Sequence, residues 1–444
     1  MSKKIIQYLK KFRSKFKKVY NTLRTSNPEA LSTLVPKIFR KLGTRKVGGP
    51  GANFLQLLEQ IILPHFWLKL GKNVIYQLQD YFYFVLFLVS FRTTPESGSL
   101  MLQIAAILGP NADTFLYHLA KFTPEEIEAI MAKINAATFH RARRYFRRGF
   151  FKRAFPVAID YTDQPFYGDK ATLGVVGGKP KAGTAWFYSF AALTIIQKHV
   201  RFTLAVKPVL PLEDPVDIVH WLVQKAEEVI HIKYIEVDRG FFGKTVINFF
   251  IRHGYRFLMP VTKNKRVKAK ILAYHTGKIG PAFRYQFRSP HSEGPHEEFT
   301  VFLTKAKEPK PNARKKRKKK RTIFDLYQGF ATNPLKRHPS QQQIKRMADR
   351  YRERWGVETG FKMEKCFQIK TASKNFGIRL FCFLFSVVMY NLWILFNLLY
   401  QSGDESRYIL PVSQVKMLLL AKALGILTAR QGQTGLELAG GDSP

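Results

Sequence analysis

Residues 154–261 alternate between short apolar segments and helical segments, and this order limits the folds open to the chain. Strands rich in β-branched and aromatic residues are predicted at 156–161, 173–176, 186–197 and 201–207, with 177–180 joining the second to the third. A helix at 214–230, a strand at 234–237, a helix at 243–253 and a strand at 255–261 follow. A meander of antiparallel strands and then helix–strand alternation predicts an α/β fold, with a mixed sheet flanked by helices.

Two of these predicted strands end in an acid. Asp160 closes the first strand, and Asp238 follows the strand at 234–237. If the two strands are neighbours, the carboxylates meet at one edge of the sheet. Either aspartate alone is more often a turn residue at a strand end. Asp163 is a rival for Asp160, ranked lower because it lies past the apolar strand and beside Pro165.

A third acid belongs to the stretch 351–365, which has mostly helical character. On a helical wheel, three polar residues fall within roughly 60° of Tyr351: Arg354, Glu358 and Lys365. Glu358 is the acid on that face. The stretch taken alone fits a surface ladder of ion pairs, or an acid that binds metal beside cations that bind phosphates.

The charge of the chain favours the second interpretation. Lys and Arg number 73 against 31 Asp and Glu, a formal net charge of +42. Such an excess predicts a polyanionic partner, with double-stranded DNA ahead of an anionic membrane surface. Asp160, Asp238 and Glu358 together suit hard cations, and we expect them to bind two Mg²⁺ ions, with Mn²⁺ as a substitute. Ions held in this way activate a water or a 3′-hydroxyl and stabilise the leaving oxygen of a phosphodiester.

The first 150 residues are predicted to be helical and basic. Residues 1–24 favour an amphipathic helix, suited to DNA phosphates, to a membrane surface or to simple packing. Residues 99–108 and 112–122 predict two short helices across a tight turn at Gly109-Pro110. That pattern fits a helix-turn-helix or a helical hairpin packed in a core.

The most apolar stretch is Leu380 to Tyr400, which is long enough to span a bilayer. Asn391 and Asn397 interrupt it, so a helix buried in the protein is the better interpretation. A last helix is predicted at 412–431, followed by a disordered tail at 432–444. Cys366 and Cys382 form no metal-binding spacing, and a reducing compartment is expected.

Three motifs in order give the chain a family resemblance. It resembles the DDE transposases of prokaryotic insertion sequences, in the branch named for the Tyr-x2-Arg-x3-Glu-x6-Lys signature, the insertion-sequence-four family. The signature matches Tyr351, Arg354, Glu358 and Lys365. The first acidic motif matches residues 157–160, and the second, Asp-Arg-Gly-Phe, matches residues 238–241. The resemblance covers residues 154–400.

The resemblance implies a ribonuclease-H-like catalytic fold that is interrupted by a β-rich insertion and preceded by an all-helical region. The regions expected are a DNA-binding region at 1–150, the catalytic core at 151–261 and 334–400, the insertion with a basic loop at 262–333, and a C-terminal helix and tail at 401–444. The two Asp and the Glu would bind the metal ions. DNA contacts would fall to Tyr351, Arg354 and Lys365. Further candidates for DNA contacts are Arg239, Lys362 and the run Arg314, Lys315, Lys316, Arg317, Lys318, Lys319, Lys320 and Arg321.

In one respect the chain departs from this family. Some members stack a flipped base of a DNA hairpin on a Trp of the insertion, and here no Trp lies between Trp221 and Trp355. The stacking would then fall to an aromatic residue such as Phe283, Tyr285 or Phe287.

The function expected is that of a transposase, which binds the terminal repeats of its element, cuts them and joins them to target DNA. We expect self-association on paired ends, a cytoplasmic location at the nucleoid of a prokaryote and no membrane partner. The alternatives are a nuclease of the same fold without strand transfer, and a DNA-binding protein descended from a transposase that has lost catalysis.

Overall fold

The computed structural model describes residues 50–72, 74–145, 153–197, 200–287, 297–306, 322–335, 338–401 and 410–439. The chain divides into two compact units, Met1–Tyr145 with Lys362–Pro444, and Phe146–Phe361. The helix expected at 1–24 and the basic run at 314–321 lie outside the described residues. These divisions differ from the sequence boundaries, because Lys362–Pro444 groups with the N-terminal helices instead of with the core.

The described residues contain twelve α-helices and nine strands. The helices are α1 Pro50–Ile62, α2 Leu78–Phe91, α3 Pro95–Ile104, α4 Ala112–Ala120, α5 Pro124–Tyr145, α6 Pro215–Glu227, α7 Lys244–Arg252, α8 Lys265–His275, α9 Gln341–Arg350, α10 Trp355–Glu364, α11 Phe376–Gln401 and α12 Val412–Ala439. The strands are β1 Ala154–Pro165, β2 Val175–Lys181, β3 Thr184–Ile195, β4 Thr203–Pro208, β5 His231–Val237, β6 Phe257–Pro260, β7 Ala282–Tyr285, β8 Phe299–Lys305 and β9 Tyr327–Thr332. The α/β class with a mixed sheet is confirmed.

All nine strands of the second unit join one sheet. The order is β2-β3-β1-β5-β6-β9-β8-β7, with β4 also paired to β3. β1 pairs antiparallel with β3 and parallel with β5, and β5 pairs parallel with β6. The strands of the predicted insertion do not form a separate sheet, because β9 pairs with β6 and continues the same sheet through β8 to β7.

The register between β1 and β5 brings two of the predicted acids together. Their parallel pairing ends at Ile159 opposite Val237, so Asp160 and Asp238 are the next residues on the two strands. β1 does not stop at Asp160 as predicted. It runs on to Pro165, because β3 continues to pair with its other edge.

The first hairpin also differs from the prediction. Residues 177–180, expected as the connection, belong to β2, and the chain turns instead at Ala182 and Gly183. Both residues have positive φ, 52° and 80°, as a tight two-residue hairpin turn requires. The hairpin therefore turns at Gly183 and not at the earlier Gly177-Gly178 pair.

In the first unit, the two short helices predicted at 99–108 and 112–122 do not meet at a tight turn. α3 begins at Pro95, behind the capping hydroxyl of Thr94, and ends at Ile104. Residues 105–111 then separate it from α4, so no tight turn joins the two helices. The predicted first helix was placed too late because its Pro at the first turn was not counted as a start signal.

α11 is the apolar helix predicted at 380–400, and it is largely buried among the other helices. Asn391 donates to Asn135 of α5 at 2.9 Å, and Asn397 accepts from the backbone of Leu410 at 2.8 Å. Within the part of the chain that the structure describes, two segments are long and apolar enough to cross a membrane, Phe376–Leu399 and Val412–Ala429, and 83% and 33% of them are buried within the protein. α12 continues to Ala439, so residues 432–439 are helical and not the predicted disordered tail.

Candidate active site

The site is built on the edge of the sheet where the parallel strands end. Asp160 and Asp238 come from β1 and β5, and their side chains are 16% and 49% exposed. The carboxyl ends of parallel strands are where α/β sheets commonly place ligands. The chain supplies both carboxylates from adjacent strands, without a long loop.

The segment after Asp238 is anchored by one aromatic contact. Arg239–Phe241 forms a turn of 3₁₀-helix, and the ring of Phe241 is buried. That ring stacks on Tyr161 of β1, with centroids 4.7 Å apart and planes inclined by 9°. Tyr161 lies on the opposite face of β1 from Asp160. The Asp-Arg-Gly-Phe motif therefore positions its acid by fixing the chain that follows it.

The third carboxylate reaches the site from α10. Val357 and Phe361 of α10 pack in a core cluster with Ala158, on the face of β1 that carries Asp160. This packing places Glu358, 43% exposed, above the sheet edge. The stretch is not one continuous α-helix as predicted, because Tyr351–Arg354 is a 3₁₀-helix and Lys365 lies in the turn beyond α10. Lys365 therefore does not share a helix face with Arg354 and Glu358, contrary to the prediction from the helical wheel.

The three carboxylates converge on one guanidinium. Arg354 Nη1 donates to Asp160 Oδ2 at 2.8 Å. Its Nη2 lies 3.6 Å from Asp238 Oδ1 and 3.6 Å from Glu358 Oε1. The arginine side chain is 11% exposed. The structure thus brings together the three acids and the arginine that the sequence proposed.

The pKa values in the site follow from burial and charge. Burial raises the pKa of Asp160, although Arg354 beside it acts in the opposite direction. Burial lowers the pKa of Arg354, but the neighbouring Tyr351, Asp160 and Asp238 outweigh it, and the net shift is upward. The guanidinium therefore stays charged among the carboxylates.

Tyr351 contacts β9 and β5 beside the site. Its ring packs 5.2 Å from that of Phe330 in β9, and its hydroxyl donates to the carbonyl of Val237 at 3.3 Å. Burial raises its pKa. Tyr351 and Arg354 both have partners inside the protein, so the DNA contacts expected of them stay predictions.

The remaining predicted DNA-binding residues are spread more widely. Arg239 is exposed directly after Asp238. Lys362, exposed in α10, and Lys365 belong to the other compact unit. The cations at 314–321 lie outside the described residues.

Two charged residues near the site were missed by the sequence analysis. Glu236 is fully buried in β5, two residues before Asp238 and on the same face. Lys263 follows β6 at the same sheet edge, where burial lowers its pKa, Asp325 opposes that shift, and the cation of Arg239 adds to it. Applying to β6 the rule that found Asp238, a charged residue after a parallel strand, would have found Lys263.

Of the aromatic residues proposed for base stacking, Tyr285 is buried and bonds to Asn264. Phe287 packs against Phe242 and Phe299. Phe283 is half-buried with Lys270 over its ring. As the structure stands, Tyr285 is closed to a base.

Asp163, the rival acid, is engaged elsewhere. It accepts from Ser189 of β3 and from Lys181 of β2, each at 2.5 Å. Ser189 lies on β3, which pairs with β1, and Lys181 lies on β2, the next strand beyond β3. The structure does not bring Asp163 to Arg354.

The donor set fits hard divalent cations by its chemistry, since all three side chains offer carboxylate oxygens. Within the described part of the chain, no three His, Cys, Asp or Glu side chains are grouped so as to hold an ion as they stand. The guanidinium of Arg354 lies among the oxygens that would bind it.

Comparisons with known proteins agree with this geometry. Residues 156–392, more than half of the chain, match the family described as the transposase DDE domain. No curated protein matches the chain. Among the solved structures that match is a cryo-EM structure of the piggyBac transposase synaptic complex with hairpin DNA. It is 11% identical with a TM-score of 0.54, over 87% of this chain and 82% of that one. At this identity the likeness shows the fold, a ribonuclease-H-like DDE fold. The chain belongs to the family of transposases that carry the DDE domain.

Proposed function

We propose that this protein is a transposase that binds the terminal repeats of an insertion sequence, cleaves them and joins them to target DNA. The observation that supports it most is the convergence of Asp160, Asp238 and Glu358 on a single point at the sheet edge. Three acids from three separate elements of one unit make a catalytic site a better explanation than a surface ladder.

In the proposed reaction, Asp160, Asp238 and Glu358 hold two divalent cations, Mg²⁺ or Mn²⁺ in its place. Bound ions of this kind supply activation of a water or a 3′-hydroxyl and stabilisation of the leaving oxygen. Asp238 and Glu358 are half exposed and so accessible from solvent. Asp160 lies within β1, where its backbone is paired with β3.

The chain's own cations would hold the substrate. Arg239 and Lys263 flank Asp238 at the sheet edge, where they can bind phosphates of the DNA strand presented to the carboxylates. The net charge of +42 would drive binding by counterion release. The resembling structure is a synaptic complex with hairpin DNA, which supports self-association of this protein on paired DNA ends. We place it in the branch with the Tyr-Arg-Glu-Lys signature, in the prokaryotic cytoplasm.

The test is strand cleavage and joining on a labelled DNA element end, with and without Mg²⁺. We expect both reactions to need Mg²⁺ and to be lost in Glu358→Gln. The matched control is Glu298→Gln, which removes an exposed carboxylate paired with Arg284, and it should react as the wild type does. Cleavage without joining would favour the nuclease. Specific binding of verified element ends without either reaction would favour the DNA-binding alternative.

A further inference from the structure

Arg354 occupies the point at which the three carboxylates of the candidate site meet. Its two terminal nitrogens lie 2.8 Å from Asp160 and 3.6 Å from both Asp238 and Glu358. The side chain is almost fully buried. A buried cation in this position reduces the repulsion among three negative charges, although it neutralises one of the three.

The contacts of this guanidinium are incomplete. Only the contact with Asp160 has the length of a hydrogen bond, and the other two are looser ionic contacts. Among the residues that the structure describes, the buried Nε of Arg354 has no hydrogen-bond partner. An arginine held in a structural ion pair usually uses its donors in a closely matched fork. The arrangement here is assembled but loosely held.

The same oxygens are the ones a divalent cation would need. The guanidinium of Arg354 already lies among these oxygens, within 2.8 to 3.6 Å of one oxygen of each carboxylate. A metal ion and Arg354 would therefore compete for Asp160, Asp238 and Glu358.

We propose that Arg354 is an internal counter-ion that keeps the three carboxylates assembled before metal binds and must leave them when it does. This inference rests on the proposed function. Arg354 is then a positioning residue whose displacement sets the apparent metal affinity. The displaced guanidinium has an obvious new partner in a DNA phosphate, which it can bind through two donors.

The first experiment measures Mn²⁺ binding without DNA, by calorimetry and electron paramagnetic resonance. If the arginine-bound arrangement accounts for more than about nine-tenths of the free protein, Arg354→Gln should bind Mn²⁺ at least about tenfold more tightly than the wild type. The matched control is Arg352→Gln, which alters an exposed arginine of the same turn that pairs with Asp349, and its affinity should be unchanged. Equal or weaker binding by Arg354→Gln would overturn the inference.

A second measurement uses the wild-type protein and so does not depend on a variant that folds. Arginine modification by p-hydroxyphenylglyoxal, read by peptide mass spectrometry, should increase at Arg354 when Mn²⁺ saturates the site and stay constant at Arg352. No increase at Arg354 would overturn the inference.

Two further variants separate this inference from the proposed function. Asp160→Asn and Glu358→Gln should weaken Mn²⁺ binding if the carboxylates are the metal ligands. If they do so and Arg354→Gln does not tighten binding, the metal site stands and the inference about Arg354 fails. If they leave binding unchanged, the proposed metal site fails, and the inference fails with it.

Discussion

The two faces of β1 each carry an aspartate, and the two acids have opposite surroundings. Asp160 shares one guanidinium with two other carboxylates. Asp163 lies three residues further along the same strand, on the other face. It accepts hydrogen bonds from the hydroxyl of Ser189 and the ammonium of Lys181. Three acids around one cation form a site of excess negative charge, whereas Asp163 is a neutralised ion pair within the sheet.

The contrast extends to the neighbours of each acid. The face of Asp160 lies under α10 and carries the candidate site. The face of Asp163 also carries Tyr161, whose ring stacks on Phe241 and anchors the segment after Asp238. One face of β1 therefore helps to position Asp238, which lies beside Asp160 of the other face. The position of an acid at a strand end therefore says less about its role than the number of other acids that share its cation.

The largest expected effect tests the two aspartates directly. Asp160→Asn should lower the rate of strand cleavage on the order of 10³-fold, because bound metal supplies several kcal/mol of transition-state stabilisation and about 1.4 kcal/mol is a factor of ten. Asp163→Asn should leave the rate near that of the wild type, because Asp163 lies on the opposite face of β1 and is bonded to Ser189 and Lys181. The measurement is single-turnover cleavage of a labelled element end in Mg²⁺. Equal losses in both variants would end the distinction between the two faces.

Phe241→Ala tests the structural face. The ring is 1% exposed and stacked, so its removal should lower the free energy of unfolding by about 3–5 kcal/mol. Denaturant unfolding of the variant measures this. Tyr167→Ala is the control, because that ring is 71% exposed and the loss of its hydrogen bond to the carbonyl of Ala182 should cost about 1 kcal/mol or less. A stable Phe241→Ala protein would mean that Asp238 is positioned by something other than this stack.

Ser189→Ala sharpens the account of Asp163. It removes one hydrogen bond from a nearly buried carboxylate that keeps its lysine, and should cost about 1 kcal/mol of stability. Cleavage per folded molecule should be unchanged. Lost cleavage with unaltered unfolding would instead place Asp163 in the reaction.

The sequence predicted the sheet and the acids well because both follow from local patterns. Apolar strands and amphipathic helices predicted the mixed sheet, and acids at the ends of predicted strands singled out Asp160 and Asp238. Glu358 came from the face that it shares with Arg354. These patterns are set by residues close together in the chain, so they can be read without knowing the pairing.

What the sequence could not give depends on pairing between distant residues. β1 continues past Asp160 because β3 pairs with it. The strands of the insertion extend the main sheet because β9 pairs with β6. The central position of Arg354 required the actual register of β1 and β5. The signature suggested DNA contacts for this arginine, and nothing local in the sequence indicated that it would lie among the carboxylates.

The smallest expected effect concerns Lys263, which follows β6 at the same edge of the sheet as Asp160 and Asp238. It lies near Arg239 at the sheet edge and donates to the carbonyl of Phe324 at 2.7 Å. If it binds a DNA phosphate, Lys263→Ala should reduce the slope of log affinity against log salt by about 1, uniformly across DNA sequences. Lys233→Ala, an exposed lysine near the other end of β5, is the matched control and should leave the slope unchanged. An unchanged slope for Lys263→Ala together with lowered stability would mean that this lysine stabilises the loop of Phe324 and does not bind DNA. Arg239 would then supply the positive charge beside the carboxylates.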